Sequence, residues 1–350
     1  MNRVVIGSPD KSALLLAMMQ EGFDTGFTLI DPTGKLAEAA ADRAPVEHTF
    51  YLDPSDVGHP PGLNVLDGVP EDDRHKVAED ICAFFEVMSR GSWGPRSNHI
   101  LLNCLRLLLD TPGSTFLGIP KLLTDSAYRT KCIGHCLDPV VLNFWTKEFE
   151  EWDDRFRKEA IAPLQNKLGA LLTSPPIRNI LGQQHSTFSL EGRHIVIANL
   201  DRAKVGDQTA FLLGSLLISR SKGPVYINDF GFFASDHLAS MLPQERFTLA
   251  FQYLEELPAK LRQAVLAIED KTVFKTTRED AERLAFYMGV SNPNVLTDLD
   301  PQEARLRDGV IQTSVPPGFK RLRAVKRRSR ACFTRTRKQV EKGIEHYFAA

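Results

Sequence analysis

Val5-Ile6-Gly7-Ser8-Pro9-Asp10-Lys11-Ser12 is the stretch that decides how this 350-residue chain reads. A short β-branched run, Arg3–Ile6, stops at Gly7, and an apolar helical run over 12–20 opens at Lys11-Ser12 and ends at Gly22. Strand, tight turn and a helix opening on Lys-Ser are the plan of the phosphate-binding loop GxxxxGK[ST]. There, glycine N–H groups wrap a phosphate, the lysine neutralises it and the hydroxyl holds magnesium, while the helix N-terminus favours the anion. The match is imperfect. Val5 and Asp10 stand at the two glycine positions, and Pro9 removes one N–H donor. A carboxylate at Asp10 would repel a phosphate by about 3–4 kcal/mol at ~4–5 Å in an effective dielectric of about 20. An ordinary strand–turn–helix with a surface lysine fits the same residues equally well.

Working outward, strands at Phe27–Asp31 and 48–52 flank a helix at 35–41. The alternation resumes with strands at 194–200, 225–229, 248–251 and 272–275 and an apolar helix at 209–220. Strands separated by helices predict a parallel, doubly wound α/β sheet. Between the two halves, residues 71–182 repeat apolar positions every three or four residues, as in Val77-Ile81-Phe84-Phe85-Met88. Pro112-Gly113, Pro120, Pro139 and Pro175-Pro176 break this stretch into several helices. The expected organisation is core (1–70), all-helical insertion (71–185), core (186–315) and basic tail (316–350). Within the tail, 316–330 reads as extended and 335–348 as an amphipathic helix.

Composition is that of a globular protein, 43% hydrophobic and 25% charged, and no apolar run is long enough to span a bilayer. No signal-peptide pattern precedes the first strand. The five cysteines, Cys82, Cys104, Cys132, Cys136 and Cys332, form no framework and suit a reducing cytoplasm. Charge is unevenly spread. Residues 320–350 hold 11 of the 43 lysines and arginines and 2 of the 44 acidic residues, a balance of +9 against −10 for the rest. Such a tail either binds phosphates by counterion release or docks on an acidic surface. Its candidate DNA contacts are Lys326, Arg327, Arg328, Arg330, Arg335 and Arg337. Cys132 and Cys136 have no second ligand pair nearby, and packing explains them better than metal.

Val225-Tyr226-Ile227-Asn228-Asp229-Phe230 is the second motif. A buried strand ending in acidic residues is how nucleotide hydrolases hold magnesium and orient water. Here the usual Asp-Glu pair is Asn228-Asp229, and Asp229 cannot replace its neighbour because adjacent strand residues face opposite ways. A plain strand-end turn is the alternative. Gln252, at another strand end, is placed either to sense a terminal phosphate or simply to turn the chain.

The collinear order of these elements resembles the HerA/FtsK superfamily, and most closely the TraG/TraD-like coupling ATPases of conjugative type IV secretion. The resemblance spans nearly the whole chain. It is carried by Leu29-Ile30-Asp31-Pro32-Thr33-Gly34, Leu52-Asp53-Pro54-Ser55-Asp56 and Leu63-Asn64-Val65-Leu66. In the insertion it rests on Ser92-Trp93-Gly94-Pro95-Arg96, Leu122-Leu123-Thr124-Asp125, Phe144-Trp145-Thr146-Lys147-Glu148-Phe149 and Pro163-Leu164-Gln165-Asn166-Lys167-Leu168. After it come Ile177-Arg178-Asn179-Ile180-Leu181-Gly182-Gln183, Asn199-Leu200, Leu212-Leu213-Gly214, Phe251-Gln252-Tyr253-Leu254 and Asp280-Ala281.

The resemblance implies a RecA-like P-loop NTPase core with an all-helical insertion domain, working as a hexameric ring that moves DNA. It implies ATP and Mg2+ as cofactors, with nucleotide contacts from Ser8, Lys11, Ser12, Asp31 and Lys275. Magnesium would be held by Ser12, Asn228 and Asp229, and Asp229 and Gln252 would act in hydrolysis. Several positions depart from the family pattern. Thr33 replaces a His, Lys35 an Asp, Asn228 the magnesium Asp, and Phe274-Lys275 a Phe-Arg pair; a lysine there offers a point charge where arginine would clamp phosphate bidentately. The segment before Val225 is shorter than in relatives. Since Met1 lies almost on the first strand, the N-terminal region that many relatives use for membrane anchoring or ring assembly is expected to be absent.

Two functions follow. One is a degenerate, DNA- or partner-binding subunit of mobile-element DNA transfer with little ATPase activity. The other is an active DNA-dependent ATPase that pumps DNA. A decaying fragment of a mobile element is a third reading.

Overall fold

Strand β1 (Arg3–Ile6) lies inside a nine-stranded sheet with β6 (Phe247–Phe251) on one side and β7 (Asp270–Val273) on the other, parallel to both. The structure is a computed structural model, and it describes residues 1–350 apart from Pro9, Asp10, Arg90, Ser92 and Ala350. The other strands are β2 (Phe27–Asp31), β3 (Thr49–Leu52), β4 (Ile195–Asn199), β5 (Val225–Ile227), β8 (Glu303–Leu306) and β9 (Gly309–Gln312). Their order is β3-β4-β2-β5-β6-β1-β7-β8-β9. The first seven are parallel, and β8 and β9 add an antiparallel hairpin at one edge. This is the expected RecA-like α/β core.

Parallel strands are covered on both faces, so their residues are apolar without alternation. Val5, Ile6, Leu29, Ile30, Ile195 and Ile197 are all wholly buried. Helices α1 (Ser12–Glu21) and α2 (Lys35–Arg43) contribute Leu15, Leu16, Met19, Leu36 and Ala37 to the same core. Polar residues appear where the strands end. Gly7, Asp31, Asn199, Asn228, Gln252 and Lys275 all lie at or just past C-terminal strand ends, the edge at which open α/β sheets bind ligands.

The chain divides into two compact units. One comprises Met1–Asp53 with Ser189–Cys332 and holds the sheet; the other comprises Pro54–Phe188 with Phe333–Ala350. The second unit contains helices and, among the described residues, no strand. Its long helices are Arg74–Met88, Pro95–Asp110 and Asp154–Leu172. Asn64 ties its loops together, its Nδ2 donating to Ser114 O (2.8 Å) and Gln184 O (2.7 Å). Asp125 caps the helix Ser126–Ile133 through Tyr128 N. Phe144–Glu148 forms a π-helical stretch that buries Trp145 fully, with its Nε1 on Asn103 O. Ser92, quoted above in the insertion motif, lies outside the described residues.

Two expectations are corrected. The hairpin β8–β9 adds two strands beyond the expected seven, and residues 316–330 do not run extended throughout. Instead Leu322–Phe333 is a helix, burying Val325 and Ser329 one turn apart. Ser329 Oγ accepts the Tyr51 N–H at 2.9 Å. Because β3 is the outermost parallel strand, this helix covers an otherwise open sheet edge. The basic tail is also divided. The helix Leu322–Phe333 belongs almost wholly to the sheet unit, and Arg337–Ala349 to the helical unit.

Candidate nucleotide site

The turn after β1 is built on Gly7, whose φ is +109°. A Cβ there would lie 2.6 Å from Phe274 O and 2.8 Å from Lys275 O, so only glycine lets the end of β7 approach so closely. Gly7 N donates to Phe251 O (3.3 Å) and Ser8 N to Lys275 O (2.9 Å). The first two N–H groups of the loop are therefore engaged by the flanking strands, and Pro9, the next residue, has none to offer. Pro9 and Asp10 lie outside the described residues, so the repulsion expected of Asp10 has no geometry here. Lys11 is the residue before α1, and its Nζ donates back to Gly7 O at 2.7 Å. Ser12, half-buried, is the first residue of α1.

Asp31 is wholly buried and fully engaged. Its Oδ1 accepts from Thr33 N (3.0 Å), Thr33 Oγ1 (2.7 Å) and Asn228 Nδ2 (3.0 Å), and its Oδ2 from Ala37 N (2.8 Å). This carboxylate holds the β2–α2 turn and binds the end of β5 to it. Asn228 faces Asp31 as a hydrogen-bond donor, a role that an aspartate could fill only in its protonated form.

Asp229 sits in the left-handed region, at φ 50°, and turns the chain into the short helix Phe230–Phe233. Its Oδ2 lies 3.8 Å from Arg202 Nη1. Arg202 also grips Asp207 through Nε (2.8 Å) and Nη2 (3.3 Å) and stacks on Phe232. That hydrogen bonding holds the Asp207 carboxyl below its ordinary range. Gln252, half-buried, donates from Nε2 to the Tyr253 hydroxyl at 2.8 Å. Lys275 is exposed beyond β7.

Two residues outside the sequence motifs belong here. Glu256 Oε1 accepts from Gln252 N (3.1 Å) and Tyr253 N (2.7 Å), closing the turn after β6. Burial pushes its carboxyl up; the two backbone bonds oppose this, the Asp229 charge adds to it and Lys11 counters it. Arg202 is the other, placing a guanidinium beside Asp229. The acidic first turn after Gln252 is a capping signal legible in sequence; Arg202, 27 positions before Asp229, gives none.

The basic residues are divided between the two units. Arg327 and Arg330 are exposed on the helix Leu322–Phe333, while Lys326 pairs with Glu38 at 3.2 Å and lies over the Tyr51 ring. Arg328 is partly buried on the same helix. Arg335 and Arg337 are in the helical unit, where Arg337 pairs with Glu341 at 2.7 Å. Among the described residues, no group of three or more His, Cys, Asp and Glu side chains is placed to hold a metal ion, and no helix is long and apolar enough to cross a membrane.

Solved structures share the fold of this chain. VirB4 of Thermoanaerobacter pseudethanolicus superposes with a TM-score of 0.60 at 12% identity, over 92% of this chain and 90% of its own. The conjugative coupling protein TrwB, unbound, gives 0.60 at 12% identity over 91% and 87%. The fold is that of VirB4 and TrwB. TrwB in complex with the non-hydrolysable GTP analogue GDPNP gives 0.61 at the same identity and coverage. No protein-family model matches the chain, and none of the curated proteins does.

Proposed function

We propose that this chain is a degenerate coupling-type P-loop protein, a DNA- or partner-binding subunit in conjugative or mobile-element DNA transfer with little ATPase activity. The observation that carries the reading is the Asn228–Asp31 contact. The position that would present a carboxylate to magnesium presents an amide instead, and that amide is turned to a buried structural aspartate. The loop after β1 supports the same reading, since Gly7 and Ser8 donate to strand carbonyls and Pro9 donates nothing.

The fit to a magnesium nucleotide is partial. Lys11, Ser12 and Lys275 suit a phosphate. The metal half does not fit, because Asn228 is neutral and Asp229 faces Arg202. These side chains therefore support no hydrolytic step through magnesium. DNA, or a ring of ATPase-fold subunits, is the partner the fold suggests, with Arg327 and Arg330 as exposed phosphate contacts.

The test is phosphate release with and without DNA, for the chain and for Lys11→Ala. Equal, background rates agree with the proposal. A DNA-stimulated rate that Lys11→Ala abolishes favours the active translocase instead. Absence of both DNA retention in low-salt gels and a co-purifying subunit counts against the binding role.

A further inference from the structure

The helical unit carries a cavity that the nucleotide reading does not use. Its volume is about 380 Å³, within the range of small-molecule sites. It lies between the helix Arg337–Ala349, the turn at 111–114 and the segment 182–185. Tyr128, Cys132 and Gln183 line its buried side, and Lys131, Arg335 and His346 stand exposed around it. Among the described residues, no carboxylate lines it. Lysine and arginine around a recess without acids create a positive potential that a small anion would satisfy.

Two features point to a ligand rather than to loose packing. First, Gly343 lies inside the last helix, where glycine costs about 1 kcal/mol relative to alanine. A Cβ there meets no atom within 4 Å, so packing does not demand glycine; its absent side chain leaves the cavity open. Second, two aromatic side chains line the same space. Tyr128 and Tyr347 join their hydroxyls at 2.6 Å, with Lys121 Nζ held 4.5 Å and 5.4 Å from their ring centres.

We propose that this cavity binds an organic phosphate the size of a nucleoside monophosphate. The phosphate meets Lys131 and Arg335, and the base lies along Tyr128 and Tyr347.

The experiment is calorimetry with AMP and with inorganic phosphate on the full chain, on Lys11→Ala and on two cavity variants. Gly343→Leu fills the recess from a position with free space, and the double variant Lys131→Glu/Arg335→Glu reverses the rim charge. The expected result is AMP binding at least about tenfold tighter than phosphate. That binding is unchanged by Lys11→Ala, which separates this site from the loop after β1, and falls about tenfold or more in both cavity variants. Absence of AMP binding, phosphate binding as tight as AMP, loss in Lys11→Ala alone, or indifference to both cavity variants overturns the proposal.

Discussion

Asn228 Nδ2 donates to Asp31 Oδ1 at 3.0 Å, joining the ends of β5 and β2 across 197 positions of sequence. Asp31 is wholly buried, so its charge must be met by donors, and four hydrogen bonds meet it. Restoring an acidic residue by Asn228→Asp removes one donor and sets two carboxylates face to face. The variant should lose about 1–3 kcal/mol at pH 7. It should recover part of this at acid pH, where one proton shared between the two carboxylates removes the repulsion. Urea unfolding at both pH values checks this, and stability equal to the parent at pH 7 contradicts it.

Gly7→Ala probes the close approach of β7. A Cβ 2.6 Å from Phe274 O, at φ +109°, forces the loop or the strand end to move. A loss of about 2 kcal/mol or more is expected, since both backbone strain and a clash apply. An unchanged midpoint of thermal unfolding would mean that the loop relaxes freely.

Glu256 makes stability depend on pH in a defined direction. Burial raises its carboxyl above the ordinary value, so the folded state resists its ionisation. That resistance is absent below the unfolded pKa and grows as pH rises through the raised folded one. Glu256→Gln keeps an oxygen to accept from Gln252 N and Tyr253 N without the charge. The variant should match the parent below the ordinary carboxylate range and exceed it at pH 7, measured by denaturant unfolding across pH 3.5–7 as a working window of about 3–4 units around that range. A variant less stable than the parent at pH 7 would mean that the charge itself holds the turn.

The helix Leu322–Phe333 should matter to the sheet and, separately, to DNA. Ser329→Val leaves the Tyr51 N–H buried without an acceptor, a loss of about 1–3 kcal/mol. Arg327→Ala with Arg330→Ala removes two exposed cations from the same helix without changing Ser329. If these arginines contact duplex phosphates, the slope of log K against log salt should flatten by about 0.9 per contact. An unchanged slope removes this helix from DNA binding.

Much of the core was legible because buried parallel strands are short apolar runs with sharp ends. Arg3–Ile6 and Phe27–Asp31 fall where their apolar runs do. The hairpin β8–β9 was not, because Glu303, Arg305, Gly309 and Gln312 dilute the alternation on a half-exposed edge. The helix Leu322–Phe333 was masked by its charge, since only Val325 and Ser329 mark its buried face. The altered loop and the Asn228 substitution could be read directly. What Asn228 does could not, since its partner Asp31 is distant in sequence and only the fold brings them together.

The most direct measurement is ATP affinity, with magnesium and with a chelator, for the chain and for Lys11→Ala. A site whose metal position is an amide tied to Asp31 predicts that magnesium does not strengthen binding in either protein. Micromolar binding that needs magnesium and vanishes in Lys11→Ala would contradict the account and return the chain to the active ATPases.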